Sequence, residues 1–485
     1  MNYRVIVRLT ALTMLILGLF MIPALLISLF RGEYSAVQGF GLSMLVCLIL
    51  GAPFFFLRSI KASVRAREGY ITVALSWILV SLVGALPLYL SREVHRFVDC
   101  VFEAVSGFTT TGASVLIDLD SLSKGLIYWR AFSHWLGGMG VLVFLLMLVP
   151  TSTGAGDNVF LMRAESPGPQ VSKLVPKTRD SARILYLIYI GMTILEAALL
   201  MCGGLSLFDS VTISMATAGT GGFSITNAGM GLYGAYVRWV VTVFMILFGV
   251  NFGIYYLLLQ RTPRKILRND ELRAYLSIVL ISTGILTVKN LPFYGRSFSD
   301  SLRESAFQVA SIVSTTGFAT SNFDAWPLLS KMVLFLLMFI GASAGSTAGG
   351  VKVSRCVLVF KSIRLSMKRL LHPRTVSKVR MDGEAVSENT LHFVYIFFGA
   401  YFFIVGISLF LLSFDRMDFE STVSAMMACL NNVGPGFGAV GPYGSYVHLS
   451  AFSKLVLCAD MLLGRLEIFP MLLLVMPGNW KKLHN

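Results

Sequence analysis

The sequence predicts an all-α polytopic membrane protein, with ten transmembrane helices of which eight form four helix–pore-loop–helix repeats around one central pore, preceded by two extra helices. Three observations predict it. Of 485 residues, 55% are hydrophobic and only 13% charged, against about a quarter charged in an ordinary soluble domain. Apolar stretches of about 20 residues, the length that crosses a bilayer, recur along the whole chain. Between them, a Gly-rich segment too short or too polar to cross recurs four times.

The candidate spans lie at 9–30, 37–57, 71–91, 125–149, 183–204, 236–259, 274–292, 328–358, 391–414 and 449–476. The first follows Arg4 and Arg8 in the manner of a signal peptide, but it has no small-residue cleavage site and many spans follow it, so it reads as a helix that stays. An even number of spans returns the chain to its starting side. Most of the 40 Lys and Arg then fall on one side, in segments such as Arg58 to Arg67, Arg163 to Arg183, Arg261 to Arg273 and Lys352 to Arg380. That bias follows the positive-inside rule and puts both termini in the cytoplasm. It also explains the net charge of +15 without nucleic acid; anionic lipid or an acidic cytoplasmic partner is the expected counter-charge.

The chain divides accordingly into a two-helix membrane hairpin (1–70), a first pore repeat (71–150), a second with its preceding cytoplasmic loop (151–260), a third (261–360), and a basic cytoplasmic loop with the fourth (361–485). The four intervening segments end alike: FEAVSGFTTTGAS from Phe102, TISMATAGTGGFS from Thr212, FQVASIVSTTGFAT from Phe307 and STVSAMMACLNNVGPGFG from Ser421. A β-branched residue followed by glycine recurs as Thr111-Gly112, Thr220-Gly221, Thr316-Gly317 and Val433-Gly434. Internal repetition at a period of about a hundred residues is an organisational signal of its own.

Irregular backbone at membrane depth must be buried in protein or line water. Four such loops are therefore expected to meet at an aqueous axis, with Thr110, Thr111 and Gly112, Thr220, Gly221 and Gly222, Thr315, Thr316 and Gly317, and Asn432, Val433 and Gly434 as the candidate filter. Glycine allows the backbone angles, a stiff β-branched neighbour aims the carbonyls, and carbonyl rings replace an ion's hydration shell in potassium filters. Each short helix adds about half a negative charge at its C-terminal end. A single TTG or TGG reads more readily as a close helix contact of small residues; four at matching places reverse that in favour of the filter. The register stays open between Gly221 and Gly222 in the second repeat and between Gly434 and Gly436 in the fourth.

Acids stand near the short helices' N-termini: Asp99 and Glu103, Asp209, Asp300 and Glu304, Asp418 and Glu420. They read either as ion ligands or as ordinary first-turn acids. GASAGSTAGG at 341–350 is too rich in Gly and Ser to hold an unbroken helix by propensity, so Gly341, Ser343, Gly345, Ser346, Thr347, Gly349 and Gly350 are expected to form a mid-membrane gate across the conduction path, the alternative being a helix whose small residues allow close packing. Lys352 either anchors that loop to an acid or reaches the inner interface. Arg465, deep in the last span, is costly there unless it faces water or a partner; it reads as a functional residue, or as a partner of Asp460 or Glu467. His134 and Glu196 read as packing or interface residues.

The loops TTTGAS at 109–114, AGTGGFS ending at Ser224, STTGFAT at 314–320 and NNVGPGFGAVGP at 431–442 resemble those of the Trk/Ktr/HKT superfamily of potassium transport proteins, most closely its TrkH branch, and the likeness extends over the whole chain. The resemblance implies a multi-pass protein of the cytoplasmic (inner) membrane that is a homodimer with one pore per subunit, takes up K+ (and Rb+), and carries a cytoplasmic TrkA-type regulatory subunit that binds nucleotide. It implies the same gate at 341–350 and an arginine barrier below the filter. No loop spells TVGYG, so moderate discrimination against sodium is expected, and the fourth loop departs from the Thr-Gly pattern at Val433.

No enzyme is expected, because no nucleophile and base, metal cluster or paired carboxylates are set on facing helices; His134 has no matching partner. The six cysteines stand singly, which indicates neither a disulfide framework nor a zinc site. No covalent cofactor is expected, only K+ as the transported ligand. Channel-like conduction is the first expectation, symport of K+ with H+ or Na+ the alternative, and an intramembrane enzyme a more distant one.

Overall fold

The computed structural model describes residues 3–56, 66–140, 178–374 and 377–476. Helix Tyr3–Phe20 runs on after Met21 into Ile22–Arg31, turns at left-handed Gly32, and pairs with Tyr34–Gly51. Thereafter the chain repeats one sequence of elements four times: a long helix, a short helix, an irregular loop and a second helix.

The long helices are Ala66–Gly84, Thr178–Cys202, Asp270–Asn290 and Glu388–Leu412; the short ones are Phe97–Phe108, Leu207–Ala218, Phe298–Val313 and Phe419–Leu430. The second, third and fourth long helices turn apolar side chains outward, as Leu187, Ile194, Leu280, Phe393 and Phe403 do, which suits lipid rather than water; the first is mostly enclosed. Short helices are enclosed: every residue from Asp99 to Phe108 is buried. Side chains cap three of them, Ser206 accepting from the Asp209 amide, Ser297 from Asp300 and Asp418 from Ser421, the residue types that satisfy first-turn N–H groups.

Six helices among the described residues are long and apolar enough to cross a membrane: Tyr3–Arg31, Tyr34–Gly51, Arg67–Leu90, Ala182–Cys202, Asp270–Asn290 and Glu388–Leu412. The second helices of the repeats differ from the continuous spans expected at 236–259 and 449–476. Ala235–Phe248 and Phe252–Leu259 meet at a 90° bend, where the Asn251 side chain caps the new helix by accepting from Gly253 at 2.8 Å. Ala451–Arg465 stops before Glu467 and Ile468, both at positive φ, and Phe469–Val475 follows with its Pro470 in the first turn. Leu328–Ile340 and Val353–Leu371 are separated by the irregular stretch 341–352. The first repeat's second helix, Lys124–Met139, ends at Gly140, φ +83; the rest of the expected span at 125–149 lies outside the described residues.

Among the described residues, one small element of strand accompanies the helices. Arg380–Met381 pairs antiparallel with Glu384–Ala385 through Asp382-Gly383, both at positive φ as a two-residue hairpin requires. Asp382 accepts from the Asn269 side chain at 2.9 Å and the Asp270 amide at 2.7 Å, which docks the hairpin on the start of the third long helix. Burial, and then the nearby Asp270 charge, push the Asp382 carboxyl above the usual range.

Candidate functional site

All four short helices end in one hydrogen-bond pattern. The amides of Thr111, Gly221, Thr316 and Val433 donate to carbonyls five residues back, on Ser106, Ala216, Ser311 and Ala428, at 2.9, 3.0, 2.8 and 2.8 Å. The residue before each lies in the left-handed region: Thr110 at φ +56, Thr220 at +54, Thr315 at +57 and Asn432 at +55. This helix-ending turn usually takes glycine at that place. A β-branched residue there is an outlier that costs about 1–2 kcal/mol, so its side chain must contribute something that glycine cannot.

Two residues further on, the left-handed region is taken by Gly112, Gly222, Gly317 and Gly434, at φ +80, +70, +82 and +97. The repeated hydrogen bonds thus fix the register. Thr220 is the counterpart of Thr110 and Gly221 of Thr111, so the expected match of Thr220-Gly221 to Thr111-Gly112 is one residue out; in the fourth repeat Gly434, not Gly436, takes the place.

The four loops interleave. A β-carbon on Gly112 would collide with the Gly221 carbonyl oxygen, one on Gly222 with that of Thr316, one on Gly317 with that of Val433, and one on Gly434 would stand 2.5 Å from that of Thr111. Each glycine therefore seats the middle carbonyl of the next repeat, and the fourth returns to the first. Backbone oxygens in cyclic contact at the negative ends of four helices favour a cation.

Three of the four residues before the ring carbonyls bond groups outside their own loops, and the fourth, Thr220, bonds the adjacent Gly219 carbonyl at 2.6 Å. Thr315 Oγ1 accepts the Gly349 amide at 2.7 Å, and Thr110 Oγ1 accepts from Arg465 Nη1 at 3.1 Å. Asn432 Nδ2 donates to Thr111 Oγ1 at 3.0 Å and to the Met461 carbonyl at 2.9 Å. Arg465 also donates to the carbonyls of Thr347 and Gly138, each at 2.7 Å, and of Gly137. The expected alternative partners of Arg465 are engaged elsewhere: Glu467 pairs with Arg355, and Asp460 accepts from Ser408.

Stretch 341–350 runs beneath the loops as irregular chain. Gly341, Gly345 and Gly350 are left-handed; the backbones of Gly341, Gly349 and Gly350 pack so closely that no β-carbon fits on Gly341 without a shift. The Ser343 amide donates to the Gly249 carbonyl at 3.1 Å, and the Gly345 carbonyl accepts from Phe252 at 3.0 Å, which ties the stretch to the bend in the second repeat. Ser346 Oγ bonds the Ser343 carbonyl at 2.6 Å, and Thr347 Oγ1 reaches Phe248. Lys352 is buried rather than at an interface, and its ammonium turns back to the Ala348 carbonyl, with no ion pair to an acid among the described residues. Glu271, which the sequence did not single out, accepts from the amides of Ala344 at 2.6 Å and Ser354 at 3.2 Å and so clasps both arms of the stretch.

At the other end, the acids of the short helices are mostly committed to cations. Glu103 pairs with Arg130, Glu304 with Arg238, Glu420 with Lys331 and Asp99 with Lys454, at 2.6 to 2.7 Å, while Asp300 pairs with Arg303. Arg238, Lys331 and Lys454 sit in the first turn of their second helices, and Arg130 one turn further into its own. Three cross to the next repeat through these acids, and Arg130 does so through the Ser224 carbonyl at 3.3 Å and the face of Phe223. The Asp418 carboxylate caps its helix by accepting from the Ser421 amide, whereas at Asp209 it is the amide that takes part, donating to Ser206. His134 and Glu196 are fully buried.

A family model described as "TrkH: Cation transport protein" matches residues 37–482. The Trk system potassium uptake protein TrkH of Escherichia coli (strain K12) is 34% identical over 99% of this chain and all of its own length, and the Trk system potassium uptake protein TrkG of the same strain is 31% identical over 99% of both. Among solved structures, the crystal structure of the potassium transporter TrkH from Vibrio parahaemolyticus superposes with a TM-score of 0.88 at 31% identity, covering 99% of this chain and 100% of that one.

Proposed function

The chain belongs to the TrkH family of cation transport proteins, a family of transporters and not of enzymes, and on that premise we propose that it takes up potassium across the cytoplasmic membrane by channel-like conduction through the ring of four loops. The related proteins named as potassium uptake systems support the substrate. The single observation that carries the mechanism is the cyclic seating of the Thr111, Gly221, Thr316 and Val433 carbonyls against the glycines of adjacent repeats. In that ring, peptide oxygens replace the hydration shell of K+, or of Rb+ in its place.

In this reading, stretch 341–350 is the gate, held shut by bonds to Thr315, Glu271 and Arg465. Arg465 adds a positive barrier. Both termini and the hairpin at 380–385 face the cytoplasm, where a TrkA-type nucleotide-binding subunit docks on the basic surface of a homodimer and pulls on the gate. The hairpin's hold on Asp270, next to Glu271, supplies a mechanical route.

Rubidium uptake into liposomes containing the purified protein tests this. A K+ or Rb+ gradient alone should drive flux, with weak competition from Na+. Flux that also demands a proton or sodium gradient would replace conduction with symport.

A further inference from the structure

The second loop lacks what its counterparts have behind them. In the first and third repeats the middle residue's hydroxyl bonds the hydroxyl of the residue that ends the short helix, Thr111 to Thr109 at 2.8 Å and Thr316 to Ser314 at 2.7 Å, and those hydroxyls hold the helix carbonyls of Val105 and Ala310. In the fourth, Val433 fills the space and Asn431 bonds back to Met427. In the second, both places are glycine: Gly219 and Gly221. Gly221 does not have positive φ, so its backbone would accept a side chain.

What forbids one is His134. The atoms nearest to where a Gly221 β-carbon would stand are all in the His134 ring, and a β-carbon on Gly219 would strike the His134 carbonyl. The ring also meets Phe223 edge-on at 4.1 Å between centroids. Residues 130, 134 and 138, one face of helix Lys124–Met139, thus follow the second loop from Phe223 past Gly221 to Gly219. Among the described residues neither nitrogen of the buried imidazole has a hydrogen-bond partner, so packing holds the ring.

We propose that His134 is a specificity-determining positioning residue: from the first repeat, its ring stands in for the side chain missing at Gly221 and holds the second loop's carbonyl in the ring. The inference rests on the conduction reading above, and goes beyond it in making one quarter of the filter depend on a neighbouring repeat.

Rb+ uptake with Na+ competition, measured on reconstituted full-length protein, provides the test. His134→Ala should lower discrimination between Rb+ and Na+ several-fold while the purified protein still elutes as a single species, and His134→Phe, which keeps a ring without its nitrogens, should restore most of it. Gly221→Thr alone should abolish selective uptake, and combining it with His134→Ala should recover it, since the new threonine then occupies the vacated space as Thr111 and Thr316 do. Unchanged discrimination in His134→Ala, tolerance of Gly221→Thr beside an intact His134, or a pair no better than Gly221→Thr alone would each overturn the assignment. Wild-type protein that took up no Rb+ would instead overturn the conduction reading itself.

Discussion

Gly349 donates its amide to the hydroxyl of Thr315 at 2.7 Å, so stretch 341–350 hangs from the very residue that turns the third short helix into its glycine loop. Thr315→Val keeps the shape but leaves a buried N–H unpaired, which costs about 1–3 kcal/mol. The stretch should loosen, and basal Rb+ uptake should rise several-fold, whereas Thr315→Ser should stay near the parent. Equal flux in the Val and Ser variants would show that the bond does not hold a gate.

The fourth repeat offers a test of register. Gly434 is at φ +97, and a β-carbon there would crowd the Thr111 carbonyl and Gly112 backbone, on top of about 1–2 kcal/mol of left-handed strain. Gly436 has no such φ, and its β-carbon would meet the side chains of Ser424 and Val440 rather than the backbone of the ring. Competition assays should find Rb+/Na+ discrimination much reduced in Gly434→Ala and little changed in Gly436→Ala. The reverse order would shift the filter by two residues.

How much of this was legible follows from how local each signal is. The four loops and the break at 341–350 are written in runs of Gly, Ser and Thr, so neighbouring letters suffice. The register in the second repeat is not: matching Thr-Gly by type pairs Gly221 with Gly112, and only the helix-ending hydrogen bonds show that Gly222 is the equivalent. The bend at Gly249 to Asn251 hides in an otherwise apolar run, because its cause is one capping side chain and a partner almost a hundred residues away at Ser343. Lys454 with Asp99, and His134 with Gly221, join different repeats; no window along the chain contains both members. Asp382-Gly383, by contrast, is a local hairpin signal that the basic surroundings masked.

Arg465 spreads its guanidinium over Thr110, Thr347, Gly137 and Gly138, which a planar fork of five donors allows and an ammonium does not. A unit charge about 8 Å from a passing cation raises its energy by about 2 kcal/mol at an effective dielectric of about 20. Arg465→Gln should therefore speed Rb+ uptake, by up to roughly thirtyfold if that barrier limits the rate. Arg465→Lys keeps the charge and should stay slow while losing thermal stability. Slow uptake in the Gln variant would assign Arg465 to scaffolding instead.

The ion pairs between repeats should not weigh equally. Lys454 and Asp99 are both nearly enclosed, with side chains 2% and 13% exposed, and they join the fourth repeat's second helix to the first repeat's short helix. Lys454→Met would strand a buried carboxylate, a loss of about 3–5 kcal/mol, and should lower the melting temperature sharply; adding Asp99→Asn should return much of it, giving a clear coupling in the double-mutant cycle. Glu420, opposite Lys331, is 55% exposed, so Glu420→Gln should cost no more than about 1 kcal/mol. Because Lys454 and Asp99 close the circle of repeats, Lys454→Met should also relax Rb+/Na+ discrimination while Glu420→Gln leaves it intact. If melting temperature falls without any change in discrimination, the belt holds the fold together but does not set the spacing of the four loops.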